Sequence, residues 1–478
     1  MKKKTTALLA ALLIAAVPTV TLFSSCDKEP ALDDEILGTD EKSEFSPNIP
    51  EGTTFDGETF NILIGSVGGV MYAEEENSDL INDTVYRTNK LVEEHFGIKL
   101  NIEKTGSAAT GAGQSEATAR FRSLIESGDE TYHAFTHVQH TGMPEMILEK
   151  FFVDWNTIPY INLDDPWWYS NITNDLCFGD KVYVMTGDYI NYVDSICCLV
   201  FNKDIFDDLG LEYPYQDVLD GTWTFDKFTD LVEKGAKDLD GDGIMNVEND
   251  QYGLVGWGYE LAPALLVSSG YSPLDRDADN MPVLNQNTAD AHDIYQKIVD
   301  MFADGQTAWA GFQGNEWATQ YHAFTQGRAM FQDVFLSNLS SYKEVEFDFG
   351  IIPYPKWGED AEYMNRSSNM TALTYIPVTN TNLELTGAVL EELAYQGYYN
   401  LTPSYFDQVL TIKSTRDVES EDMLPIIKDN ARFLYDGYAP SIIDAVQQKA
   451  NNYTSAYASN LPTYQKDLED MRELLGAE

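Results

Sequence analysis

The stretch Asp238-Leu-Asp-Gly-Asp-Gly-Ile-Met-Asn-Val-Glu-Asn-Asp250 carries the clearest chemistry in the chain. Its acids occupy positions 1, 3 and 5 of a loop with Gly at 6, the spacing by which EF-hand loops converge carboxylates on calcium. Asp238, Asp240 and Asp242 are the expected carboxylate ligands, Ile244 offers its carbonyl and Asn246 takes the ninth place. The twelfth place is Asn249 rather than Glu, so a bidentate ligand has to come from Glu248 or Asp250. Calcium in such a loop is structural, because no position is left open for a substrate. The competing reading is an acidic Asp/Gly turn without metal. No catalytic motif accompanies it: Gly-x-Ser-x-Gly, His-Glu-x-x-His and the P-loop are absent, and the six His are scattered. Gly65-Ser-Val-Gly-Gly69 lacks the remaining marks of a phosphate cradle and reads as a tight loop, Ser66 within it, that lets a ligand approach.

Composition narrows the classes further. The chain of 478 residues has 78 acids against 30 Lys and Arg, a formal net charge of −48, so binding nucleic acid through a basic patch is excluded. Hydrophobic residues make up 43%, which predicts a folded body. Four Cys rule out a disulfide scaffold. Cys197 and Cys198 lie in an apolar run and, with Cys177, read as small core residues. A Cys177–Cys198 bridge is the alternative.

The front of the chain is an address. Lys2, Lys3 and Lys4 precede an apolar run from Ala7 to Val17, too short to span a bilayer as a stable helix. It ends in Leu22-Phe-Ser-Ser-Cys26, which resembles a bacterial lipobox, with Phe23 where Leu is usual. The expected arrangement is a signal peptide over residues 1–25, lipidation at Cys26 and an acidic flexible tether over 26–57.

The elements that must position any site alternate. Thr59–Gly65, Ile98–Glu103 and Ala134–Val138 read as strands. Between them lie helices with Ile81, Val85, Val92 and Phe96 on one face, stopped by Gly97, and from Ser115 to Ser127. This β-α-β-α-β pattern calls for a parallel sheet covered by helices, with ligands at the carboxyl ends of its strands. His137, Gln139 and His140 stand at one such end. A second block has expected strands at Lys181–Met185, Ser195–Phe201, Phe347–Ile352 and Ala372–Val378. Its helices open at Thr224 and run over about Asp290–Ala303, Asn315–Gln326 and Leu383–Tyr399, followed by a mostly helical tail.

Several segments together resemble the extracellular solute-binding proteins of ABC importers, in particular the group that binds maltose and other oligosaccharides. They are Gly179-Asp-Lys-Val-Tyr-Val-Met185, Leu199-Val-Phe-Asn-Lys-Asp-Ile-Phe206 and Trp223-Thr-Phe-Asp226. Asp250-Gln-Tyr-Gly-Leu254, Phe324-Thr-Gln-Gly-Arg-Ala-Met330 and Phe347-Asp-Phe-Gly-Ile-Ile-Pro-Tyr-Pro355 follow. The resemblance covers residues 58 to about 400. It implies an α/β, two-lobed periplasmic-binding-protein-like fold of type II with a hinge between the lobes. The chain would cross near Tyr189–Asn202, at Gly350–Pro355 and near Tyr399–Ser404. The lobes would then be 58–190 with 355–400, and 200–346 with 405–478 carrying the calcium loop.

Trp and Tyr faces beside short acids suit a pyranose, which has an apolar face and a rim of hydroxyls. Trp257 and Tyr259, in Gly256-Trp-Gly-Tyr-Glu260, are the leading candidates. The resemblance adds Tyr192 and Asp194 by the first crossing, and Asp333 and Phe335 after the Gly-Arg-Ala-Met turn; Tyr435 in the tail is a further candidate. Trp167, Trp168 and Trp223 are expected to be structural. The resemblance implies a monomeric, membrane-tethered receptor, not an enzyme, that delivers a carbohydrate to ABC permease subunits. The alternatives are the same build for a peptide or other polar solute, a cell-surface glycoside hydrolase, and a capture protein with no permease.

Overall fold

The computed structural model describes residues 45–65, 71–105, 111–139, 142–314, 316–342, 344–410, 418–434 and 436–476. The expected signal peptide and Cys26 lie outside them. The folded body begins earlier than the tether boundary at 57 would have it. Phe55 packs edge-on against Phe96 at 5.9 Å, and the amides of Phe55 and Gly57 donate to the carbonyls of Phe96 and Gly97.

In chain order the strands are β1 (Thr59–Ile64), β2 (Lys99–Lys104), β3 (Ala134–His137), β4 (Cys197–Asn202), β5 (Tyr252–Trp257), β6 (Leu274–Arg276) and β7 (Pro282–Leu284). They continue with β8 (Ala308–Gly311), β9 (Ala329–Phe335), β10 (Phe349–Ile352), β11 (Asn365–Arg366), β12 (Leu373–Tyr375) and β13 (Ala431–Arg432). Two main sheets result, ordered β12-β3-β1-β2 and β10-β4-β9-β5-β8. In the first, β1 runs parallel to β2 and β3. In the second, β5 runs parallel to β8 and β9, while β4 is antiparallel to both neighbours.

Local chemistry explains the helices between the strands. Asp79 caps Leu80–Phe96 by accepting from the Asn82 amide, Val92 and Phe96 are fully buried, and Gly97 stops the helix at φ 66°. Thr224 caps Phe225–Gly235 through the Lys227 amide. Every residue of β4, an inner strand between β10 and β9, is buried. The expected strand at Lys181–Met185 is instead an extended segment whose only ladder contact is a bridge from Met185 to Thr374. Trp168 and Trp223 are buried and donate to Glu391 and to the Pro353 carbonyl, at 2.9 and 3.0 Å. Cys177, Cys197 and Cys198 are buried free thiols, so the Cys177–Cys198 bridge does not form.

Two lobe boundaries differ from expectation. β10 is the edge strand of the second sheet, and the chain stays on that lobe after Pro355. Trp357 packs on Phe225 at 4.7 Å, and the Tyr363 hydroxyl donates to the Val218 carbonyl. The passage back comes later, where Ile196 bridges Ser367 and the Ser368 amide donates to the Ser195 carbonyl at 2.9 Å. Pro353-Tyr-Pro355 stiffens a turn within one lobe; the interlobe strands are the polar run around Arg366–Ser368. The helix Thr402–Leu410 still packs against Leu80–Phe96, so the first lobe keeps residues beyond 405.

Candidate functional site

Strand direction locates the cleft. The carboxyl ends of β1 and β3 point at the crossing, since His137 pairs with Leu373, the residue by which the chain enters the first sheet. Those of β5, β8 and β9 do the same from the other side, since Phe335 pairs with Cys197, where the chain enters the second sheet. Loops after both sets of strands therefore face one another across the hinge, the place where α/β sheets bind ligands.

The second lobe carries a cluster of aromatic rings at the carboxyl ends of its strands. Trp257 ends β5 and precedes the helix Gly258–Ser268. Its ring lies 5.4 Å from that of Tyr259, which is 41% exposed and meets Phe312 edge-on at 5.7 Å. Gly258 permits this cluster, because a Cβ there would stand 2.2 Å from the Phe312 ring. Glu316 fixes the Phe312 loop by accepting from the amides of Phe312 and Gln313, at 2.6 and 2.9 Å. Farther out, Trp317 is 49% exposed and parallel to Tyr321. Next to the wall, Glu260 pairs with Arg366 of the crossing, the Arg side chain being 5% exposed. Phe312, Trp317 and Arg366 escaped the sequence reading. Phe312 follows a four-residue strand too short to show a period, and Arg366 becomes informative only once the crossing is placed.

The other expected site residues divide by burial. Gln139 is half-buried at the end of β3 and borders a cavity beside the crossing. Phe335 is half-buried at the end of β9, its amide donating to Asn338. Asp194 is half-buried, hydrogen-bonded to Tyr405 and Asn191, and burial pushes its carboxyl up to about 6. His137, Tyr192 and Asp333 turn inward, contrary to a ligand-facing role. His137 Nε2 contacts Thr118 Oγ1 and the Gln114 carbonyl, both at 3.2 Å, within the first lobe. The Tyr192 ring stacks on Tyr169 at 4.7 Å. Asp333 accepts from the Tyr354 hydroxyl, and burial pushes its carboxyl up to about 7. Gly65, expected to make room for a ligand, makes room for packing: a Cβ there would meet Ala117 at 2.7 Å and Phe121 at 2.9 Å. Ser66, His140 and Tyr435 lie outside the described residues.

The acidic loop is preorganised for a cation. Carboxylate oxygens of Asp238, Asp240 and Asp250 lie within 4.8 Å of one another and can hold a divalent cation such as calcium. Backbone amides shape the loop. Those of Gly241 and Gly243 donate to Asp238, at 2.6 and 2.8 Å, and those of Leu239 and Asn246 to Asp250, both at 2.8 Å. Gly241 and Gly243 adopt φ of 75° and 82°, where a side chain would strain the backbone. The thirteenth residue, Asp250, thus completes the triad where Asn249 could not. Asp242, Ile244, Asn246 and Glu248 lie outside it, their side chains or amides occupied in turns, and Ile244 is 69% exposed.

A family model for bacterial extracellular solute-binding proteins matches residues 82–388. No curated protein gives a sequence match. Among solved structures, a sugar transporter from Rhizobium etli in an open conformation is similar with a TM-score of 0.55 and 13% identity, over 88% of this chain and 99% of that one. The galacto-N-biose/lacto-N-biose I-binding protein of the ABC transporter from Bifidobacterium longum, in complex with lacto-N-biose, gives 0.54 and 14%, over 90% and 100%. A family 1 extracellular solute-binding protein from Bifidobacterium longum subsp. infantis gives 0.50 and 15%, over 88% and 98%. These likenesses establish the two-lobed periplasmic-binding-protein-like α/β fold with its hinge. No helix among the described residues is long and apolar enough to cross a membrane. With more than half of its length matched by the family model, the chain belongs to the bacterial extracellular solute-binding proteins.

Proposed function

We propose that this chain is a lipid-anchored, extracytoplasmic receptor that binds an oligosaccharide between its lobes and hands it to the permease of an ABC importer. The observation that carries this reading is the Trp257–Tyr259–Phe312 cluster, set beside Glu260 where the ends of β5 and β8 face the crossing. Flat apolar rings next to a carboxylate match a pyranose, whose faces are apolar and whose edges carry hydroxyls. The relatives are non-catalytic transport receptors, so binding and release suffice and no chemical step is assigned. Open lobes engage the ligand on one face. Closure buries it, and the permease reads the closed form. Lipid at Cys26 and the acidic tether hold a monomer near that permease and raise its local concentration. Calcium at Asp238, Asp240 and Asp250 fastens the loop between the helix Phe225–Gly235 and β5.

The test is ligand-dependent unfolding against glycans, amino acids and peptides. Ligand at about a hundred times its Kd adds roughly 2.7 kcal/mol. Stabilisation by one glycan class, recovered intact, is the expected result. Stabilisation by peptides alone overturns the carbohydrate assignment, and cleavage of the glycan overturns the receptor.

A further inference from the structure

A cavity of about 350 Å³ lies where the C-terminal helix Tyr453–Leu474 and the residue after it cover the first lobe. One end is polar and adjoins the hinge, with Gln139 after β3 and Asn369 in the passage between lobes. Elsewhere apolar side chains predominate, with Ile147, Leu148, Leu176 and Phe178 from the first lobe and Met471 and Leu475 from the C-terminal segment, beside the carboxylates of Glu145 and Asp467. Lys181 at its edge is occupied by Asp154 at 3.0 Å. The helix itself is fastened to the second lobe. Arg472 pairs with Asp277 and donates to the Pro282 carbonyl, at 2.9 and 3.1 Å, and the Tyr453 ring packs on Tyr295 at 4.7 Å. The walls of the cavity thus come from both lobes, which also meet beside it, where the Gly179 amide donates to the Asn280 carbonyl and the Asn280 side chain to the Gly179 carbonyl, at 2.8 and 2.7 Å.

A space of about 150 Å³ already admits benzene when its walls are apolar, so this one has room for an aryl ring or a short alkyl chain. Its polar end is continuous with the crossing, so an occupant would keep a polar part at Gln139 and Asn369 while its apolar part runs under the helix. We propose, building on the carbohydrate reading, that the natural solute is a glycoside bearing an apolar group of about six carbons, which this cavity receives. Filling it joins Ile147 and Leu148 of one lobe to Met471 of the other and favours the closed form.

The test compares methyl, phenyl and hexyl glycosides of glucose, galactose and maltose, with phenol and hexanol as sugar-free probes, on the full chain by calorimetric titration. Met471→Trp fills the cavity from a half-buried position; Leu475→Trp serves if that variant folds poorly. The expected result is at least tenfold tighter binding of a phenyl or hexyl glycoside than of its methyl parent, about 1.4 kcal/mol, lost in the filled variant while methyl glycoside binding persists. Equal binding of methyl and phenyl forms overturns the cavity inference and leaves the carbohydrate reading standing. Phenol or hexanol bound in a Trp-sensitive way, with no gain from any attached sugar, upholds the cavity and overturns the carbohydrate reading. No Trp-sensitive binding of any apolar probe overturns the cavity inference outright.

Discussion

Replacing Arg366 by Met is the sharpest perturbation of the hinge. Arg366 and Glu260 form an ion pair whose side chains are 5% and 15% exposed. Removing one partner of a buried pair leaves the other charge desolvated and costs about 3–5 kcal/mol. Glu260 keeps some contact with water, so the lower end, about 3 kcal/mol, applies. At about 2.1 cal/mol/K per residue, a body of this size has an unfolding entropy near 0.9 kcal/mol/K, so Arg366→Met should lower Tm by about 3–4 °C. Adding Glu260→Gln removes the stranded charge. The double variant should recover at least half of the loss, so that the double-mutant cycle gives less destabilisation than the sum of the two single variants. Differential scanning calorimetry of the four proteins reads this directly. Equal Tm in wild type and Arg366→Met, or additive losses in the double variant, would refute the claim that this pair fastens the crossing to the aromatic wall. Because Glu260 follows Trp257 and Tyr259, the single variant should also weaken ligand binding, whereas a mere surface pair would leave it unchanged.

Other consequences follow from the same coordinates. Calcium at about a hundred times its Kd should raise the unfolding free energy by roughly 2.7 kcal/mol; Asp250→Asn should abolish the gain, and an unchanged calcium response in that variant would remove Asp250 from the site. Trp257→Ala should weaken solute binding at least tenfold with little change in Tm, because the ring stands at the cleft; unaltered affinity in titration would exclude it from the ligand contacts. Burial raises the carboxyls of Asp333 to about 7 and Glu391 to about 8, while in the unfolded chain both ionise near pH 4. The folded state therefore holds more protons between these limits. Their contribution is complete below about pH 4 and is lost as pH rises toward 7–8. Urea midpoints of Asp333→Asn and Glu391→Gln should fall less steeply with pH than wild type over pH 4.5–8; identical slopes would contradict the burial.

Much of the first lobe was legible because local signals agree there. Asp79 and Gly97 bracket a helix whose inward residues recur at helical spacing, and the strands on either side are short apolar runs that a parallel sheet requires. The acidic loop was legible to within its last ligand, since the spacing of Asp238 and Asp240 is encoded locally while the return of Asp250 depends on the turns at Gly241 and Gly243. The hinge was not. β11 is two residues long and pairs with β13 some sixty-five positions later, so no periodicity announces it. Pro353-Tyr-Pro355 drew attention instead, because proline marks stiffness without saying which lobe it stiffens. Lys181–Met185 alternates like a strand, yet one residue alone finds a ladder partner. Among candidate site residues, type was a poor guide to exposure. His137 and Asp333 are polar residues on strands, and only the packing of Phe121 and Tyr354 over them shows that they face inward. Phe312 owes its place in the wall to Gly258, a contact across the sheet that neither residue reveals alone.

The most direct test of the receptor reading is small-angle scattering of the full chain titrated with the glycan that most stabilises it. Hinge closure predicts a saturable fall in radius of gyration with the glycan recovered intact, and a loss of that response in Trp257→Ala. A radius that stays constant at saturating glycan, or a glycan returned as fragments, would contradict it.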